Sequence, residues 1–267
     1  MSYDLNKIID GIPNETYHRH SALSSTNLKD LLKSPWSYWH NKQNPKVSTP
    51  AMQFGSLVHK LILEPENFAN EYMVAGKPER RSKAGKAKYA ELLEEAGSRI
   101  WVSTDDFLKA QDLIFPASQN LIVKNLLSGG KAESSVFWQD EATGVQCKAK
   151  ADYLNIERGY ILDVKTTVSL ASERAFLWTV SKYAYDLSAS FYKQGFELAT
   201  GKELDFYFLV IEKEAPFNFA TYKIGNELLR RGEAQYKQAL NVYVDALERG
   251  KFDIPYHNGN LIELIAA

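Results

Sequence analysis

Cysteine is almost absent from this sequence, with Cys147 the single thiol in 267 residues. That excludes a disulfide framework within the chain, and it excludes a multi-cysteine zinc site or iron–sulfur cluster. Long apolar runs are missing too: none approaches the roughly 18 residues a membrane span requires. The opening MSYDLNKIIDG lacks a basic and then apolar leader pattern, so a cytoplasmic chain with no membrane segment is expected. Excess charge of one sign is also lacking, since 32 basic residues face 33 acidic ones. Bulk attraction for phosphates is therefore weak, although phosphates respond to local clusters within about 8 Å at physiological salt. There is no internal repeat, low-complexity tract or Gly-rich nucleotide loop.

What is present is enough apolar material for one large domain, 45% of residues, and charge that is unevenly placed. Lys77, Arg80, Arg81, Lys83, Lys86 and Lys88 stand together against Glu79 alone, just ahead of an acidic stretch at Glu91–Glu95. The basic stretch reads as a loop entering a helix and suits phosphate contact, or else is a solvated linker.

In chain order, residues 1–22 read as an irregular lead in which Tyr17, His18 and His20 could act as anchors. Ser24-Ser25-Thr26 caps a short helix ended by Ser34-Pro35. The aromatics Trp36, Tyr38 and Trp39 follow, as core or as a stacking surface. Thr49-Pro50 opens a helix carrying Gly55, Ser56 and His59, with Gly55 and His59 one turn apart on one side. Thr104–Leu127 is helical, with Ser103 or Thr104 as its cap and Pro116 expected to kink or divide it. Three strands are expected at 133–139, 144–155 and 160–167, then a helix from about Lys182 to Thr200. A strand buried on both faces follows at Leu204–Ile211, with Phe217–Ile224 as its hairpin partner or an edge. A last helix spans Asn226–Glu248.

The centre of interest is the expected hairpin of the second and third strands. With Glu157 and Arg158 at its tip, an antiparallel register pairs residues whose numbers sum to 315, which sets Asp152 opposite Asp163. Lys165 follows on the face of Asp163, and simple alternation puts Lys148 and Lys150 beside Asp152, where they could hold phosphate or be ordinary exposed strand lysines. Opposed like charges destabilise a sheet unless a counter-ion joins them, and hard carboxylate oxygens suit Mg²⁺ or Mn²⁺. The alternative is a polar, solvated hairpin face.

Asp152 followed eleven residues later by Asp163-Val164-Lys165 resembles the PD-(D/E)XK nuclease motif of RecB-like and phage recombination exonucleases. Gly55-x-x-x-His59 is similar to the segment that precedes the motif in that group. Arg80-Arg81-Ser-Lys83-Ala-Gly85-Lys86 and the run from Ala189 to Glu197 resemble the RecE (exodeoxyribonuclease VIII) branch. The similarity spans about Tyr17 to Tyr256. It implies an α/β, restriction-endonuclease-like central mixed sheet flanked by helices. A helical N-terminal region (1–130, part of the same domain) would carry the His motif and basic arm, and 131–267 would form the nuclease core.

The resemblance further implies metal-dependent exonuclease action on double-stranded DNA, removing 5′ mononucleotides in phage-type recombination. Mg²⁺, with Mn²⁺ as substitute, would be held by His59, Asp152, Asp163 and the Val164 carbonyl, and Lys165 would assist the attacking water. Arg80, Arg81, Lys83, Lys86, Lys148, Lys150, Ser188 and Tyr192 are the expected DNA contacts. A single-strand annealing protein and a ring-shaped homo-oligomer are the implied partners. The lone cysteine disfavours the cluster-bearing CRISPR-associated relatives. One departure stands out: relatives place a Gln four residues before Tyr192, where this chain has Ser188, too short to span the same distance. The alternatives are a catalytically weakened DNA-binding or assembly protein of the same fold, and a nuclease of other polarity or endonucleolytic action.

Overall fold

A computed structural model describes residues 3–45 and 47–263. The elements are β1 (Lys7–Ile9), α1 (Asn14–Arg19), α2 (Ser25–Lys33), α3 (Pro35–Gln43), α4 (Pro50–Leu63), α5 (Phe68–Glu71), β2 (Tyr72–Ala75), α6 (Lys83–Ala96), β3 (Ile100–Ser103), α7 (Thr104–Gln119) and α8 (Leu121–Leu126). They continue with β4 (Lys131–Gln139), β5 (Gln146–Asn155), β6 (Tyr160–Thr167), α9 (Glu173–Tyr183), α10 (Tyr185–Thr200), β7 (Asp205–Glu212), β8 (Phe219–Lys223) and α11 (Asn226–Glu248). The main sheet has the order β1-β4-β5-β6-β7-β8, and β2 and β3 form a small parallel pair. Every neighbouring pair in the main sheet is antiparallel except β6–β7. This is the expected mixed sheet flanked by helices.

Two cores sandwich the sheet. On one face Leu28 and Leu31 of α2, Phe191 and Phe196 of α10, and Tyr236 and Leu240 of α11 pack on Val136, Ala149, Ile161 and Phe208. On the other, Leu57, Val58 and Ile62 of α4 and Leu113 of α7 pack on Tyr153, Leu162, Val164, Leu209 and Ile211. Strands β6 and β7 contribute to both cores, which is why Leu204–Ile211 reads as apolar throughout.

Local signals place most helix ends. The Thr49 hydroxyl accepts the Met52 amide ahead of Pro50, and Ser103 accepts from Asp106, as N-cap side chains do. Pro116 does not divide its helix, which runs on to Gln119. The break falls at Asn120, whose side-chain oxygen accepts the amides of Ile122 and Val123 and so starts α8. The helix expected from about Lys182 to Thr200 is α10, which starts at Tyr185, and an unexpected helix, α9, precedes it, set off at Ala184, whose φ of 47° is left-handed.

The lead is not irregular. β1 pairs with β4, and the segment after it is pinned from beneath by two lysines of β5. The Lys148 ammonium donates to the carbonyls of Tyr17 and His20 at 2.6 and 2.8 Å and lies 4.8 Å from the Tyr17 ring centroid. Lys150 donates to the Ile12 carbonyl and the Asn14 side chain, both at 2.8 Å. Lys148 is buried and Lys150 half-buried, so the expectation that they contact DNA phosphate is corrected: their donors already serve backbone carbonyls that would otherwise lack partners. Burial brings the Lys148 ammonium down to about 8.

Two expected outcomes follow. Lys148→Met should cost ~1–3 kcal/mol, from stranded carbonyls partly offset by relief of the buried charge. In urea titration it should lower the midpoint while the salt dependence of DNA binding stays as in the wild type; unchanged stability with weaker binding would restore the phosphate role. At the α10–α11 crossing, a Cβ on Gly232 would collide with the Asp186 backbone carbonyl. Gly232→Ala should therefore destabilise by ~1–3 kcal/mol, and an unshifted unfolding midpoint would rule out so close a helix approach.

Candidate active site

The site grows out of a fork in the sheet. The β5–β6 pairs Tyr153↔Leu162, Leu154↔Ile161 and Asn155↔Tyr160 follow the expected register. The ladder stops one step before Asp152 and Asp163. There the Val164 amide donates to the Asp152 carboxylate at 2.7 Å instead of to a β5 carbonyl. A strand residue directs its N–H and C=O to the same neighbour, so the Val164 carbonyl faces the same gap.

The fork coincides with a slip in alternation. Ala149, Ala151 and Leu154 share the core beneath α10 and α11, whereas Tyr153 lies in the opposite one. Strict alternation would separate Ala151 from Leu154, so the period breaks at Asp152. The partner strand breaks at the same level, with φ of 53° at Glu133. The β4–β5 pairs Ala132↔Tyr153 and Ser134↔Ala151 bracket Glu133 and Asp152. Glu133, Asp152 and Asp163 thus form a row of three acidic residues across β4, β5 and β6. Burial and then the Asp152 charge push the Glu133 carboxyl up.

Asp163 is buried, and its carboxylate is ion-paired with the Lys165 ammonium. Burial raises the Asp163 carboxyl, Lys165 opposes that rise, and Asp152 adds to it. Burial alone would discharge Lys165, but Asp163 and then Asp152 outweigh it and hold the ammonium charged, well above the ordinary lysine range. His59, brought in by packing of α4 on the sheet, has Nδ1 3.5 Å from Asp152 Oδ2. As these side chains stand, no three described His, Cys, Asp or Glu groups enclose a metal-sized position. The donors still match a hard divalent ion in kind, being carboxylates, an imidazole and a backbone carbonyl, and the row sets three carboxylates against two ammonium groups, Lys165 beside Asp163 and Lys150 at 3.5 Å from Glu133.

The opposite wall comes from α2 and α10. The half-buried Tyr192 faces Asp163 and Ser25, and burial and then the Asp163 charge push its hydroxyl up to about 12. The Tyr185 ring centroid lies 5.1 Å from Lys165 Nζ and 5.2 Å from Lys29 Nζ. Burial and then the neighbouring Lys165 charge bring the Lys29 ammonium down to about 8.

Of the expected residues, the structure brings together His59, Asp152, Asp163, Val164, Lys165 and Tyr192. Ser188 is buried on α10. Arg80, Arg81, Lys83 and Lys86 are exposed on the loop before α6 and its first turn, with Arg80 Cζ 4.6 Å from the Tyr89 ring centroid. None of these four shares a described ion pair with the acidic row.

Sequence reasoning missed Glu133, Tyr185 and Lys29. Glu133 was within reach: the β4–β5 hairpin pairs residues summing to 285, which sets Glu133 opposite Asp152. Lys29 and Tyr185 carry no local signal, because only the packing of α2 on α10 makes them neighbours.

Comparison with solved structures supports this fold. The chain is similar to a crystal structure of a candidate exonuclease from Eubacterium rectale, with TM-score 0.62, 15% identity and 96% of each chain covered. A phage-related exonuclease from Haemophilus somnus 129PT is a weaker likeness, with TM-score 0.36, 12% identity, 88% of this chain and 99% of that one. At these identities the first likeness speaks for the fold alone, and the second adds nothing to it. No curated protein matches the sequence significantly. Residues 24–259 match the family described as a PDDEXK-like domain of unknown function (DUF3799). With most of its length inside that match, and with the forked sheet built from it, the chain belongs to this PDDEXK-like family.

Proposed function

We propose that the protein is a metal-dependent deoxyribonuclease acting on the ends of double-stranded DNA, an exonuclease that removes 5′ mononucleotides. One observation carries the reading: buried Asp163, paired with the half-buried Lys165, stands at a strand fork together with Asp152, Glu133 and His59. Hydrogen bonds or surface ion pairs that serve stability alone do not gather three acidic side chains in one place, because their mutual repulsion and desolvation oppose folding.

Asp152, Asp163, His59 and the Val164 carbonyl would hold Mg²⁺, or Mn²⁺ in its place, and Glu133 would add negative charge beside them. The cation, when bound, would polarise the phosphoryl oxygen and acidify a water. Lys165, kept charged by the two aspartates, would orient the attacking water and offset charge building on the phosphate. Asp152 holds the Val164 amide and thereby the direction of its carbonyl. Tyr192 closes the site beside Asp163, and Ser188, at the place where the RecB-like nucleases that the sequence resembles have Gln, would leave room for a bridging water or a DNA contact. The exposed Arg80, Arg81, Lys83 and Lys86 would meet the DNA backbone away from the chemistry. Polarity, ring assembly, a single-strand annealing partner and a place in phage-type recombination rest on the sequence resemblance.

Linear DNA should be lost with Mg²⁺ or Mn²⁺, and covalently closed DNA spared, in an assay that adds chelator as control. Lys165→Ala and Asp163→Asn should each slow the loss by ~10²–10⁴-fold. Cleavage of closed circles would replace exonuclease by endonuclease, and strand-specific end labels would read the polarity. If neither DNA is cut while both bind, the protein is a DNA-binding relative with a spent site.

A separate outcome concerns Glu133. Glu133→Gln should raise the metal concentration needed for half-maximal rate while leaving the unfolding midpoint within ~1 kcal/mol of wild type. An unchanged metal requirement would remove Glu133 from the site.

A further inference from the structure

A line of aromatic rings and ammonium groups leads from the surface to the acidic row. At its outer end Trp178 on α9 is 59% exposed, and Lys182 Nζ lies 4.5 Å from its ring centroid. Lys182 also lies 5.3 Å from the ring of Tyr183, itself 50% exposed. The Tyr183 ring stacks on Tyr185 at 5.7 Å with an interplanar angle of 26°, and Tyr185 in turn meets Lys29 and Lys165.

This continuity depends on the backbone. Left-handed Ala184 breaks the helix between the two tyrosines. In an unbroken helix residues two apart point about 200° away from each other and could not stack. A non-glycine residue at positive φ costs free energy, and such strain collects where a particular side-chain arrangement is required. Exposed Trp39, by comparison, stacks on Phe252 at 5.2 Å. The faces of Trp178 and Tyr183 are met by a lysine, a contact at an exposed site weaker than stacking on a nucleobase. Alternation of flat rings with cations is the pattern that binds bases and phosphates of an unpaired strand.

We propose that Trp178, Lys182 and Tyr183 form a stacking path for the unpaired nucleotides of a DNA strand whose end lies in the cleft, with Lys29 taking a phosphate at the inner end. This rests on the nuclease reading only for where the strand leads; capture of the strand is a separate property. The occupant is single-stranded DNA. A duplex offers stacked, hidden bases and would use the lysines alone, and a protein partner would need no cation beside each ring.

The test is anisotropy of labelled duplexes, blunt or bearing a short 5′ or 3′ single-stranded extension, with the full chain in chelator and with Lys165→Ala in Mg²⁺. Wild type should bind at least one extended duplex more tightly than the blunt one. Trp178→Ala and Tyr183→Ala should each reduce that preference about tenfold, the equivalent of ~1.4 kcal/mol, while Trp178→Phe and Tyr183→Phe retain most of it. Both positions are surface-exposed, and unchanged unfolding midpoints would confirm intact folding.

A wild-type chain with no preference in either condition overturns the proposal, as do alanine variants that keep the wild-type preference. Equal losses on blunt and extended DNA assign the patch to duplex and overturn it as well. A chain that never cleaves but loses its extension preference in the variants would sink the nuclease reading and leave this inference standing.

Discussion

A carboxylate taken out of water must be matched by a cation or give up its charge, and Asp163, with a side chain 7% exposed, is such a group. Lys165 stands two residues along the same strand face and answers that demand through an ion pair in which Asp163 holds the ammonium charged while Lys165 opposes the rise that burial gives the carboxyl. Neither is explained by stability alone, since a buried pair rarely outweighs its desolvation. What the pair achieves is a fixed ammonium beside a fixed row of acids. The surrounding architecture serves that placement, with β7 on the far side of β6 holding the strand and α4 and α10 closing over the two sides of the fork.

The fork itself has a simple origin. Asp152 takes the place of a backbone acceptor for the Val164 amide, so a side chain ends the ladder where a peptide group would have continued it. The slip in alternation at Asp152 and the left-handed Glu133 occur at the same level of neighbouring strands. Strain of this kind is tolerated where surrounding packing over-determines it, and here both cores grip the strands on either side of the break.

The lysines of β5 are engaged by the N-terminal lead rather than left free at the site. Lys148 and Lys150 lie before the break and donate to carbonyls of the N-terminal segment, and Lys150 also stands 3.5 Å from the Glu133 carboxylate. Two residues that look like phosphate ligands in a strict period-2 reading are instead pegs that hold the lead against the sheet. Cation–π contacts of both with Tyr17 reinforce the same attachment.

Much of this was legible in the chain. Caps at Ser24, Thr49 and Ser103, the double-faced apolar run of β7 and the extent of α11 follow from local propensity and periodicity, which act over a few residues. The register of β5 and β6 follows from their turn, and with it the meeting of Asp152, Asp163 and Lys165. The break at Ala184, the division of α7 from α8 at Asn120, the pairing of β1 with β4, and the neighbourhood of Lys29, Tyr185 and Lys165 were not legible. Each is decided by surfaces distant in sequence pressing on one another, and no local pattern encodes that pressure. The sequence by itself determined which charges face each other across one hairpin; only the tertiary structure decided which aromatics and cations surround them, because those come from α2 and α9–α10 and meet the sheet only once the core has closed.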